Sequence, residues 1–84
     1  MLDMRNSKFI KYLGFKIRTI RISKGYSQQH LANLCDVELS NINRIELGKI
    51  NTSVGHAKLI ADALDVHIKE LFDFDEHDDD LVLD

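Results

Sequence analysis

The side chains with the most chemical promise in this 84-residue chain lie between Gln28 and Leu47. Apolar residues fall there at Leu31, Ala32, Cys35, Val37, Ile42 and Ile45. Two short helices joined by a tight turn need this pattern. Leu31 and Cys35 hold the first helix of the pair to a core, and Ala32 is small where the second crosses it. Val37 plugs the turn, and Ile42 and Ile45 anchor the second helix. Leu39, Ser40, Asn41, Asn43 and Arg44 are left facing outward. A helix pair of this kind sets its second member into the major groove of DNA. The chemistry on offer is hydrogen bonding to base edges and phosphates, not bond making.

Catalysis and metal chemistry find little support. Cys35 is the only cysteine and falls on the apolar face, with no histidine at a useful spacing, so it reads as an inert core thiol. It excludes an internal disulfide and a CxxC metal site. His30, His56, His67 and His77 are scattered and form no i, i+4 ligand pair. No nucleophile–base arrangement and no phosphate loop is present. The expectation is a protein without enzymatic activity, cofactor or metal. Tyr12 and Tyr26 read as packing residues.

A net charge of −3 looks wrong for a partner of nucleic acid, but its distribution reverses that impression. All 11 Lys and Arg lie between Arg5 and Lys69, against seven acids in residues 1–72, a balance of +4. The last 12 residues carry seven acids and no Lys or Arg, a balance of −7. A basic body is followed by an acidic tail. No apolar run approaches the roughly 20 residues of a membrane span, and the polar N-terminus lacks the apolar centre of a signal peptide. A cytoplasmic protein is expected. The length suits one domain: an arm over 1–7, a folded body over 8–72 and a tail over 73–84.

The elements that must position the outward face are all helical. Pro is absent and Gly occurs four times, which leaves few breaks. Phe9, Leu13, Ile17 and Ile20, with Ile10 beside them, form a stripe over 8–23. Gly25 stops that helix. Ser27 caps a second, from Gln28 to about Cys35, burying Leu31, Ala32, Leu34 and Cys35. Asp36 and Val37 make a tight turn, and a third helix runs from about Leu39 to Leu47, ended by Gly48. Thr52 or Ser53 caps a fourth, with the stripe Val54, Ala57, Ile60, Ala61 and Leu64. A fifth, from His67 to Phe72, places Ile68, Leu71 and Phe72 on the core or on a partner. The predicted fold is an all-α, compact five-helix bundle with an acidic C-terminal tail.

Five segments carry a family resemblance. They are Ile17-Arg18-Thr19-Ile20-Arg21, Gly25-Tyr26-Ser27-Gln28-Gln29-His30-Leu31-Ala32, Ile42-Asn43-Arg44-Ile45-Glu46-Leu47-Gly48-Lys49, Ile60-Ala61-Asp62-Ala63-Leu64-Asp65-Val66 and Glu70-Leu71-Phe72. Residues from about 13 to 72 resemble the Cro and phage-repressor type of helix-turn-helix protein, the XRE family. The short chain and the Gly48-Lys49-Ile50-Asn51 loop are similar to the controller proteins of restriction–modification systems. The resemblance implies a transcriptional regulator that binds double-stranded DNA as a homodimer. It implies phosphate contacts at Gln28 and Gln29, where free N–H groups and the helix dipole favour an anion, and at Lys49, Asn51 and Thr52 in the following loop. It implies base contacts from Leu39, Ser40, Asn41, Asn43 and Arg44. Asn suits adenine, Arg suits guanine or a phosphate, and Leu suits a thymine methyl. Arg21 and Glu46 match a buried, structural salt bridge.

Three positions depart from the family pattern. Asp36 stands where the turn usually carries Gly, and Asp tolerates the left-handed conformation. Glu38 stands where the third helix usually starts with Ser or Thr. It either opposes the phosphates or reads a cytosine amine. Thr52 replaces the usual Pro. A second reading, suggested by the acidic tail, is an antitoxin that binds a basic toxin and represses its own operon. Leu81, Val82 and Leu83 follow the acids, as if to pack on the domain or on a second copy, or to shield the basic face.

Overall fold

The computed structural model describes residues 4–75, with side chains from Ser7 onward. Among the described residues five helices follow in order: α1 (Met4–Ser23), α2 (Gln28–Cys35), α3 (Leu39–Glu46), α4 (Val54–Ala63) and α5 (Ile68–Leu71). No strand occurs among the described residues. α1 lies against α3 and α5, α2 packs on α3 and α4, and α4 packs on α5. Ile17, Leu31, Ile42, Leu64 and Leu71 meet at the centre, fully buried. Each stabilises the fold by about 1.5–3 kcal/mol relative to an exposed side chain. α1, α2, α3 and α5 each send one large aliphatic to the middle, and Leu64, the C-cap of α4, supplies the fifth.

Among the described residues the chain reverses at four with left-handed backbone: Gly25, Asp36, Gly48 and Asp65, at φ of 77°, 55°, 70° and 58°. At each, the next N–H reaches back to a carbonyl five residues earlier: Tyr26 to Arg21, Val37 to Ala32, Lys49 to Arg44 and Val66 to Ala61, at 2.9–3.1 Å. This is the closing bond of a Schellman end, usually joined by an apolar contact. Tyr26, Val37 and Val66 supply that contact by packing on the core. At the fourth end the following residue is Lys49, which is exposed. Only there does the chain spend the position on a solvent-facing cation.

Several sequence expectations are corrected. α1 begins at Met4, so most of the expected arm over 1–7 is helical. No Gly or Pro lies between Met4 and Lys8, and an existing helix extends at little cost. Leu34 is 48% exposed. Leu31, Ala32 and Cys35 define one arc of α2, and Leu34 falls about 60° outside it, toward solvent. Val54 is 78% exposed, because α4 starts at that residue, beyond the reach of the core. Phe72 is 39% exposed and stacks on Phe9, with ring centroids 6.2 Å apart. Leu47 and Phe72 follow the last residues of α3 and α5 as C-caps. Of the two caps expected for α4, Ser53 serves, accepting from the His56 N–H. The packed region passes residue 72: Phe74 lies against Phe9 and Tyr12, at centroid distances of 5.3 and 5.8 Å. The remainder of the expected acidic tail, from Glu76 to Asp84 and including Leu81, Val82 and Leu83, lies outside the described residues.

Candidate nucleic-acid interface

The outward face of α3 is built from behind. Ile42 and Ile45 are buried, and the intervening positions Leu39, Ser40, Asn41, Asn43 and Arg44 are all exposed. An eight-residue helix with two inward isoleucines three apart has no other stable orientation. The five side chains expected to face outward therefore share one surface. Arg44 makes no side-chain hydrogen bond or ion pair among the described residues.

Beneath that surface runs a polar chain. Arg21 Nε donates to Glu46 Oε2 at 2.7 Å, and Nη2 donates to Oε1 at 3.1 Å. The third guanidinium arm, Nη1, donates to the Tyr26 carbonyl at 2.7 Å. The side chains of the pair are 9% and 1% exposed. A bidentate pair with every charged atom bonded is the arrangement that makes such burial tolerable. Gln28 Nε2 donates to Glu46 Oε1 at 2.9 Å, and Gln28 Oε1 accepts from Asn43 Nδ2 at 3.3 Å. The buried ion pair thus reaches an exposed residue of α3 through one glutamine. Asn43 keeps one amide N–H and its carbonyl oxygen free, the two groups that a bidentate contact to adenine requires.

Gln28 is therefore more than a residue at the start of α2. Its side chain is half-buried and spans from Glu46 to Asn43, while Ser27 caps the helix by accepting from the His30 N–H at 3.0 Å. Gln29 is exposed and donates to Asn33 Oδ1 at 2.9 Å. Lys49 and Asn51 are exposed and Thr52 is half-buried. Asn51 and Thr52, with Asn41, line a cleft of about 220 Å³ over Cys35, Ile42 and Ile60. Burial pushes the Cys35 thiol up from its ordinary pKa, so it stays protonated and unreactive. Among the described residues no group of three or more His, Cys, Asp or Glu is placed to hold a metal ion.

Two features escaped the sequence reading. The Gln28 bridge joins polar residues 15 and 18 positions apart, which no local pattern reveals. Gly14, in the middle of α1, was the other. A Cβ there would run into the carbonyl oxygens of Ile45 and Glu46, so Gly14 is where α1 crosses the end of α3. A glycine inside a helix is costly enough to have been a signal.

Comparison with known proteins bears out the helix-turn-helix fold. Residues 17–71 match the family model described as Helix-turn-helix. The control protein C.BamHI of Bacillus amyloliquefaciens is 44% identical over 62 residues, 73% of this chain and 76% of that protein. An uncharacterized HTH-type transcriptional regulator of Rickettsia conorii is 38% identical over 66 residues, 79% of this chain and 53% of that protein. A second from Rickettsia prowazekii is 38% identical. The chain spans about half the length of these two relatives. Among solved structures, the restriction-modification controller protein C.AhdI of Aeromonas hydrophila superposes with a TM-score of 0.75 at 34% identity, over 76% of this chain and 97% of that one. The hypothetical transcription factor NHTF from Neisseria gives 0.72 at 25% identity, over 86% and 80%.

Proposed function

The chain belongs to the XRE-type helix-turn-helix family, and from that premise we propose that it is a sequence-specific DNA-binding transcription regulator of the controller type. The carrying observation is the face of α3: Ser40, Asn41, Asn43 and Arg44 exposed together, with Asn43 held from behind by Gln28 and the buried Arg21–Glu46 pair. α3 enters the major groove, with Leu39 beside the four polar residues. Gln28, Gln29, Lys49, Asn51 and Thr52 meet the phosphates on either side. Two copies, with recognition helices about 34 Å apart, read successive grooves. The controller assignment is supported by the relatives named as control and controller proteins. The protein works without catalysis and in the cytoplasm. No helix among the described residues is long and apolar enough to cross a membrane.

Selection of bound sequences from random duplexes tests this reading. One enriched, two-fold symmetric site is expected, with affinity falling steeply as salt rises. Arg44→Ala should then cost about 1–3 kcal/mol at that site and relax the preference at one base pair. Absence of any enriched sequence would overturn the proposal.

A further inference from the structure

α1 faces α3 along one stripe of its surface, and the contacts come in register. Arg21 pairs with Glu46. Two turns earlier, Gly14 lets α1 approach the carbonyls of Ile45 and Glu46. Three residues before that lies Lys11, against Gly48: a Cβ at Gly48 would sit 2.7 Å from Lys11 Cγ and 2.8 Å from Lys11 Cα. Residues 11, 14 and 21 fall on one helical face, so these three contacts lie along one seam. Phe9 and Tyr12, on another side of the same turns, are clamped by Phe72 and Phe74. The early turns of α1 are therefore held firmly, although they precede the residues matched by the family model, which begin at 17.

The seam places a cation beside the loop that follows α3. Lys49 succeeds Gly48 directly, and its N–H is fixed to the Arg44 carbonyl at 2.9 Å. Lys11 is exposed, and its side chain has no hydrogen bond or ion pair among the described residues. We propose that Lys11 is a further phosphate-binding residue, which widens the Lys49–Thr52 backbone contact with a charge carried by α1. This rests on the DNA-binding reading above. Gly48 then has two duties. It ends α3 in a left-handed conformation, and it leaves the space through which α1 delivers Lys11 to the loop.

The test compares Lys11→Gln, Lys11→Arg and Lys58→Gln with the wild type on duplex DNA of random sequence between 50 and 200 mM salt, with thermal unfolding of each. Lys58 lies on α4, paired with Asp62, and serves as the control for one lost charge. Lys11→Gln should lower the slope of log affinity against log salt by about 0.9, so that its affinity falls about 3.5-fold less than that of wild type across that range. Lys11→Arg and Lys58→Gln should keep the wild-type slope. A wild-type slope for Lys11→Gln overturns the proposal. So does a lowered melting temperature with an unchanged slope, which would make Lys11 a support for the end of α3 only. Equal losses in Lys11→Gln and Lys58→Gln would show a nonspecific charge effect and also overturn it. A wild-type protein that binds no duplex removes the DNA-binding reading itself, and this assignment with it.

Discussion

The two ends of α3 are built on opposite terms. At its C-terminal end, Glu46 is buried and accepts from Arg21 and Gln28, and α1 presses against the last carbonyls through Gly14. At its N-terminal end, Glu38 is exposed and makes no side-chain cap. The N-caps of α2 and α4 are serines, and both cap, at 3.0 and 3.1 Å. Leu39 and Ser40 follow Glu38 into solvent. A free N-terminus presents unpaired N–H groups and the positive end of the helix dipole outward. One end of α3 is therefore fixed by the protein, and the other is left to be satisfied from outside. A short helix anchored at one end holds its outer face in place without covering it.

The largest test of this contrast removes the anchor. Arg21→Met leaves Glu46 buried without its cation and should cost about 3–5 kcal/mol in urea unfolding. Glu38→Ala at the other end should stay within about 0.5 kcal/mol, because an exposed residue with no cap bond has little to lose. Similar values for the two variants would break the comparison and leave α3 evenly supported.

Gln28→Ala probes the link between the anchor and the reading face. Glu46 keeps both bonds from Arg21, so stability should fall by only about 1 kcal/mol, the net worth of a hydrogen bond. Asn43 loses its acceptor and becomes free to rotate. Binding to duplexes varied one base pair at a time should then lose preference at the one pair proposed for Asn43, with smaller changes elsewhere. A uniform loss across every sequence would instead make Gln28 chiefly a phosphate contact.

How much of this was legible follows from the range of each interaction. The α2–α3 pair was readable because Leu31, Ala32, Cys35, Ile42 and Ile45 repeat at helical spacing within 15 residues, and all five are buried. The ends of α1, α2 and α3 were marked by Gly25, Asp36 and Gly48. The start of α1 was not readable, because its first residues carry no apolar stripe. Leu34 and Val54 are hydrophobic yet exposed, because the arc of a helix that faces the core, and not residue type alone, decides burial. Phe74 was hidden among acids, and its partners Phe9 and Tyr12 lie more than 60 residues away in sequence. The Arg21–Glu46 pair was expected from family resemblance, since spacing alone does not join residues 25 apart. The bridge from Gln28 to Asn43 needed three dimensions.

The smallest expected effect concerns Glu38, and it decides what the open end of α3 is for. Glu38→Ser gives that helix the cap used by α2 and α4, which should add up to about 1 kcal/mol of stability. Two outcomes for binding separate the roles open to the carboxylate. As a bystander, it opposes the phosphates, so its removal should raise affinity for selected and random duplexes alike. As a reader of a cytosine amine, its removal should lower affinity at the selected site and leave random duplexes unchanged or better bound. The first outcome means that the uncapped end tempers binding strength. The second means that the helix gave up its own cap to place an acceptor where the groove begins, which is what an end satisfied from outside requires.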